Sequence, residues 1–514
     1  MRPVLFALFT LTAFAQPPGQ QWWNHVEFLA SDKLEGRDTG SEGHRIAAQY
    51  VAEQFTRLGL QPAGTNGWFQ PVPFDTRRVE DEGSSLTLFS GGTETKLTIG
   101  KEAIFRAPAS IQPALRAPLV FAGYALQAPE QNHDDLRGLD LKGKVAVFLA
   151  AAPKAWPAPM AAHLQNIENR WEGLRRAGAI GFITLYKTEP LPWPRIAVSR
   201  FQTQMTARMR GAANFEGLRF AVTFNRQHAD LLFAGTGHTL ESLLQLAEGD
   251  SPLPRFPLRK EIAVTAQVTT GSVESQNVAA LLPGRTKEYV AITAHLDHTG
   301  LARSMAEDKI SNGAMDNASG VAAVLEIARR LKAAGPLRRG VLFLLVTGEE
   351  KGLQGSRYFT HHPTVPIRQI AANLNFDMFL PLFPLRSLVQ FGGDESTLGD
   401  LAKEIGTEFG IASAPDPMPS QVLFIRSDQY NFVLQGVPSL MPLFGYQKGS
   451  PEEKIQQEWL QTRYHAVTDD VAQPVDKQAA ERFIDYMTAL TRRAASDKDR
   501  PVWKPESYFR RFAR

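Results

Sequence analysis

Apolar side chains recur every three or four residues early in the chain. Ile46, Ala47, Tyr50, Val51, Phe55 and Leu58 share one helical face, and Gly59 stops the run. The helical pattern extends from Gln20 to about Leu60, with Leu34-Glu35-Gly36-Arg37 as a polar loop ahead of that face. Phe69 to Phe74 and Ser85 to Ile99 read as strands broken by glycine turns. The texture changes from Leu115 to Leu258. Leu119 to Tyr124, Val145 to Leu149 and Ala179 to Leu185 are β-rich, Ile167 to Ala177 is helical, and prolines crowd Pro153 to Pro159 and Pro190 to Pro194. This stretch predicts a separate insert of mixed α/β type, and the Pro-rich Ser251 to Pro257 its exit linker. From Val264 onward strands alternate with helices. Tyr289 to Thr293, Val341 to Val346 and Ala371 to Phe376 read as strands. Gly320 to Ala333 reads as a helix carrying Val321, Val324, Leu325, Ala328 and Leu331 on one face, and Lys477 to Ala494 as a final helix. That alternation predicts a doubly wound, mostly parallel sheet.

Each of the three C-terminal strands runs into ionisable residues. The first meets His295-Leu296-Asp297-His298, the second Gly348-Glu349-Glu350-Lys351-Gly352, the third Asn375-Phe376-Asp377-Met378. In an open parallel sheet, ligands bind beyond the carboxyl ends of the strands. Three strand ends that each carry metal-ligand chemistry therefore point to one metal site. His-x-Asp at a strand end can also pair an imidazole with an orienting carboxylate. The adjacent Glu349 and Glu350 can divide the work, one ligating and one serving as a base.

Two further segments are ambiguous taken singly. Met315-Asp316-Asn317-Ala318-Ser319-Gly320 precedes a helix, and an Asp-Asn pair there is by itself a common cap. The loop before it, Gly300 to Gly313, is longer than a plain connection needs. Asn317-Ala318-Ser319 also matches a glycosylation acceptor, which is discounted because the same loop would have to face a buried site. His465 in Arg463-Tyr464-His465 offers a nitrogen donor to balance a carboxylate-rich set.

Size and composition narrow the class. A chain of 514 residues exceeds what one core supports, so two or more domains are expected. Net charge is +3, from 56 basic and 53 acidic residues, which gives nucleic acid or an anionic membrane no field to follow. Cysteine is absent, which excludes disulfides, thiolate zinc sites, a cysteine nucleophile and a lipid anchor on an N-terminal cysteine. Any metal must be held by imidazole and carboxylate. Arg2, the apolar run Val4 to Phe14 and the small-x-small Ala13-Phe14-Ala15 predict a secretory signal peptide over residues 1–15. No later segment reaches the roughly 18 uninterrupted apolar residues of a spanning helix. Leu374 to Leu388 comes nearest, and Asp377, Pro381, Pro384 and Arg386 interrupt it. Secretion or a periplasmic location without stable membrane insertion is therefore expected.

Together these blocks resemble the secreted dinuclear-zinc aminopeptidases related to glutamate carboxypeptidase and the transferrin receptor ectodomain. The resemblance rests on Ala294-His295-Leu296-Asp297, Met315 to Gly320, Gly348 to Ser356, Asn375 to Met378 and Tyr464-His465, in this order from Val278 to Val475. Leu119 to Tyr124 and Gly138 to Val145 resemble the protease-associated domain that many such enzymes carry. His25 to Phe74 is similar to the start of the family's peptidase domain. The implied layout is a signal peptide (1–15), a first part of the peptidase domain (16–114), a protease-associated insert (115–258) and the catalytic zinc peptidase domain (259–514).

The resemblance also implies roles. His295 and Asp377 would hold one Zn2+, Glu350 and His465 a second, and Asp316 would bridge them; Co2+ or Mn2+ could substitute. Asp297 would orient His295, and Glu349 would be the general base. The implied substrates are peptides or proteins with a free N-terminus. A carboxypeptidase, a one-zinc glutaminyl cyclase and a non-catalytic binding ectodomain are the alternatives on the same scaffold. Phe424 to Tyr430 with Gly436-Val437-Pro438 matches a substrate-side loop, but Gln429 stands where relatives often have His.

Overall fold

The computed structural model describes residues 17–106, 115–189, 191–209, 215–301 and 308–513. The expected signal peptide lies outside the described residues.

The strands that place the site are β1 (Phe69–Ser90), β2 (Ala103–Arg106), β3 (Leu115–Ala122), β4 (Val145–Ala150), β5 (Gly181–Tyr186), β6 (Phe220–Phe224) and β7 (Arg255–Leu282). They continue with β8 (Tyr289–His295), β9 (Gly340–Val346), β10 (Ile370–Phe376), β11 (Ser387–Phe391), β12 (Ala412–Ala414) and β13 (Ser439–Phe444). The main sheet runs β12-β11-β13-β10-β8-β9-β7-β3-β4-β5-β6-β2. Strands β13, β10, β8 and β9 are mutually parallel, and so are β3, β4, β5 and β6. The block of β13, β10, β8 and β9 is the mostly parallel sheet that the strand–helix alternation after Val264 predicts, and β3 to β6 form a second parallel block within residues 115–258.

One strand joins the two blocks. The 28-residue β7 pairs antiparallel with β3 near its start and with β9 near its end, and with β1 along most of its length. The predicted exit linker is therefore only partly a linker. Arg255 to Pro257 already pair with Val120 to Ala122. Likewise, Phe69 to Ser90 is one continuous strand and not two pieces broken at glycine. The insert's core also reaches back before residue 115. Val79, Leu86, Leu88, Leu97, Ala103 and Phe105 pack with Leu119, Val147, Ile183 and Val222.

Around β8, β9 and β10, helices α1 (Gln20–Leu29), α2 (Glu42–Arg57), α6 (Ser319–Ala333) and α10 (Lys477–Ser496) cover one sheet face. Every residue of β9 and β10 is buried, as an apolar run covered on both sides requires. Each Leu, Val or Phe so buried contributes roughly 1.5–3 kcal/mol. Between α1 and α2 the chain turns through Asp32–Arg37, where Glu35, Gly36 and Arg37 all have positive φ. The helical pattern from Gln20 to Leu60 is thus interrupted at the predicted polar loop. Short helices α3 (Ala158–Gln165), α4 (Ile167–Arg176) and α5 (Trp193–Val198) belong to the insert. Helices α7 (Gln354–His361), α8 (Gln429–Val433) and α9 (Pro451–Thr462) follow site loops or precede them.

Candidate metal centre

Five separate chain segments deliver the candidate ligands to one place. His295 is the last residue of β8, Glu350 follows β9 and Asp377 follows β10. Asp316 lies in a π-helical turn, Ala314–Ala318, that leads into α6, and the Asp316–Asn317 peptide is cis. His465 stands just beyond α9 with φ 51°.

The donor atoms form two groups sharing one carboxylate. His295 Nε2 lies 3.2 Å from Asp316 Oδ1 and 3.2 Å from Asp377 Oδ1. His465 Nε2 lies 3.2 Å from Asp316 Oδ2 and 3.2 Å from Glu350 Oε2. A tetrahedral cation with bonds of roughly 2.0 Å spaces its donors about 3.3 Å apart. The arrangement therefore fits a cation in each group, with the two oxygens of Asp316 facing different groups. Imidazole and carboxylate are also the donors that zinc accepts when thiolate is absent.

The surrounding chain braces this set. Asp469 is buried and accepts from the main-chain N–H groups of Met315 at 2.9 Å and Asp316 at 3.0 Å. Gln473 Nε2 donates to the same carboxylate at 2.6 Å. Asn317 is 1% exposed, donates to Phe376 O at 2.8 Å and accepts from Gly320 N–H, so it caps the helix and offers no glycan acceptor. Arg37 is fully buried and donates to the carbonyls of Leu29, Leu296, Asn312 and Gly313. It thereby ties the loop after β8 to the loop that carries Asp316. Burial lowers its pKa to about 10, still cationic at neutral pH.

Asp297 meets His295 through an unexpected atom. The Nδ1 of His295 bonds the main-chain oxygen of Asp297 at 3.0 Å. The carboxylate of Asp297 instead accepts from the Thr39 hydroxyl at 2.8 Å and from the Glu349 N–H at 3.2 Å. It therefore positions the Glu349 backbone directly.

Burial and like charge set the protonation tendencies. Burial pushes the Glu349 carboxyl well above its usual range, and the charges on Asp377, Glu350 and Asp428 add to this against the pull of His295. Burial and Glu350 oppose ionisation of Asp316, yet His298, His295 and His465 hold it below the usual carboxylate range. Burial also pushes Asp428 up to about 7, although Ser356 donates to it at 2.5 Å.

His298 is a neighbour that the ligand assignment left without a role. It is fully buried, and its Nδ1 lies 2.9 Å from Glu350 Oε1 and 3.8 Å from Asp316 Oδ2. The signal was present in the sequence as a second histidine three residues after His295, but spacing alone does not say which way the turn aims it. Gln429 is also resolved by the fold. It is fully buried, accepts from Asn375 Nδ2 at 2.8 Å and donates to Phe424 O at 2.8 Å. It ties the loop from Phe424 to Tyr430 to β10 from within.

Residues 277–491 match the model of Peptidase family M28. The chain is 24% identical over 249 residues to Aminopeptidase YwaD of Bacillus subtilis (strain 168), covering 47% of this chain and 50% of that protein. It is 31% identical over 200 residues to the probable lipoprotein aminopeptidase LpqL of Mycobacterium tuberculosis, covering 36% of this chain and 38% of that protein. The matches thus span about half or less of these curated relatives. Among solved structures, the aminopeptidase from Aneurinibacillus sp. strain AM-1 is similar over 95% of this chain and 97% of its own, with a TM-score of 0.56 and 19% identity. At that identity the likeness is one of fold.

Proposed function

We propose that this chain, whose residues 277–491 belong to peptidase family M28, is an extracytoplasmic two-zinc exopeptidase that releases N-terminal residues from peptides. The observation that carries this reading is the pair of donor groups sharing Asp316. His295 and Asp377 would hold one zinc, Glu350 and His465 the other, with Asp316 between them. Bound zinc would supply Lewis acidity to a scissile carbonyl and to the attacking water.

The remaining work falls to the chain's own groups. Glu349 takes the proton of the attacking water and returns it to the leaving amine, a role suited to a carboxyl raised by burial. Asp297 fixes the Glu349 backbone, and its carbonyl sets the ring orientation of His295. The half-buried Asp377, Glu349, Glu350 and His465 leave the site open on one side, where a peptide end can enter. The names of the curated relatives support the aminopeptidase reading. The insert is read as a protease-associated domain, and residues 1–15 as a signal peptide. Among the described residues no helix is long and apolar enough to cross a membrane.

Hydrolysis of a panel of aminoacyl-nitroanilides by the mature chain tests this reading. Release that chelator abolishes and zinc restores is expected. No release from any free-amine substrate by the zinc-loaded protein would overturn it.

A further inference from the structure

The second donor group depends on the loop after α9, which its own domain secures through bonds such as Arg463 N–H to Trp459 O at 2.8 Å and Ala466 N–H to Arg463 O at 2.9 Å, but these leave the carbonyl of Tyr464 to another partner. His295 has a fixed ring, because its Nδ1 bonds a carbonyl. Among the described residues no group bonds the Nδ1 of His465, whose side chain is 30% exposed. The orientation of His465 must therefore come from its backbone and from the Tyr464 ring packed 4.0 Å away.

That backbone is held from the insert as well as from its own loop. The last carbonyls of a helix lack internal partners, and a cation there also complements the helix dipole. Arg195, on α5, fills this place at the end of α9. Its Nη1 donates to Gln461 O at 3.1 Å and its Nη2 to Tyr464 O. Tyr464 O belongs to the peptide group that enters His465, so fixing it fixes the plane from which the left-handed His465 departs. Helix α5 is itself anchored. Trp193, Ile196 and Ala197 pack on Ile104, and Trp193 Nε1 donates to Gly100 O at 3.0 Å. The insert meets other site loops as well. His163 Nδ1 lies 2.7 Å from the Tyr430 hydroxyl, and Glu168 pairs with Arg357 at 2.6 Å.

We propose that the insert domain completes the second metal site through Arg195, a positioning residue that sets the His465 backbone. The proposal rests on the two-zinc reading above. It gives the insert a part in metal retention that no insert residue performs by direct ligation.

Zinc retained per chain at graded free-zinc concentrations tests it in the full-length mature protein. The wild type should bind two equivalents. In Arg195→Ala one equivalent should weaken about tenfold, at the low end of what loss of a ligand-orienting partner costs, while the other stays unchanged. Arg195→Lys should recover part of the loss. Arg208→Ala, which removes a half-exposed insert arginine paired with Asp75, should match the wild type. If Arg195→Ala lowers the melting temperature of the zinc-free protein, Arg195→Gln, which keeps the stem, replaces it. Wild-type affinity for both equivalents in the Ala and Gln variants would overturn the proposal, as would equal weakening of both. A wild type that binds only one zinc would remove the two-zinc reading before any variant is compared.

Discussion

Oδ2 of Asp316 and Nε2 of His465 lie 3.2 Å apart, although one precedes α6 and the other follows α9. The other oxygen of the same carboxylate faces His295 at the same distance. Such an arrangement concentrates negative charge in a buried place, and cations offset that cost. Removing the shared carboxylate should therefore disturb both groups together.

Zinc content should follow this geometry. Asp316→Ala is expected to retain less than one zinc per chain, and His465→Ala about one, by metal analysis after dialysis. A ligand that binds only the folded state at about 100 times its Kd raises stability by about 2.7 kcal/mol. Zinc should thus raise the melting temperature of the wild type clearly and that of Asp316→Ala little.

Glu349→Gln keeps size and removes the proton acceptor. It should retain wild-type zinc content and lose about a hundredfold or more in kcat. Near-wild-type turnover would take Glu349 out of the mechanism.

Gln429 should prove a stability residue. Gln429→Ala leaves Phe424 O without its donor and Asn375 with one acceptor fewer. A buried group so orphaned costs about 1–3 kcal/mol, readable as a lower urea midpoint. The fall in kcat should be smaller than for Glu349→Gln.

Acid should loosen the contact between insert and peptidase domain. His163 has its pKa lowered to about 4, by burial first and by Arg511 second, against an ordinary 6.5. The unfolded chain therefore binds this proton more readily, and stability should fall as pH drops from about 6.5 towards 4. The shift bounds the effect at about 3 kcal/mol. His163→Gln should flatten that part of the stability curve; an unchanged slope would assign the acid sensitivity elsewhere.

Local pattern determined much of this protein. The buried runs of β9 and β10, the amphipathic face of α6 and the positions of His295, Glu350 and Asp377 at strand ends all follow from period and spacing. These are short-range properties, written in residues close together in the chain. Other features arise from contacts between distant segments, and no period announces them. Only the tertiary structure decided that β7 is shared by both parts of the sheet and that residues 79–105 join the insert's core. It also decided that Asp297 reaches His295 by a carbonyl, that Gln429 faces inward, and that His298 turns towards Glu350. The approach of Arg195 to Tyr464 belongs with these. The direction in which a side chain leaves a turn depends on what packs around it, and the packing exists only once the whole chain is folded.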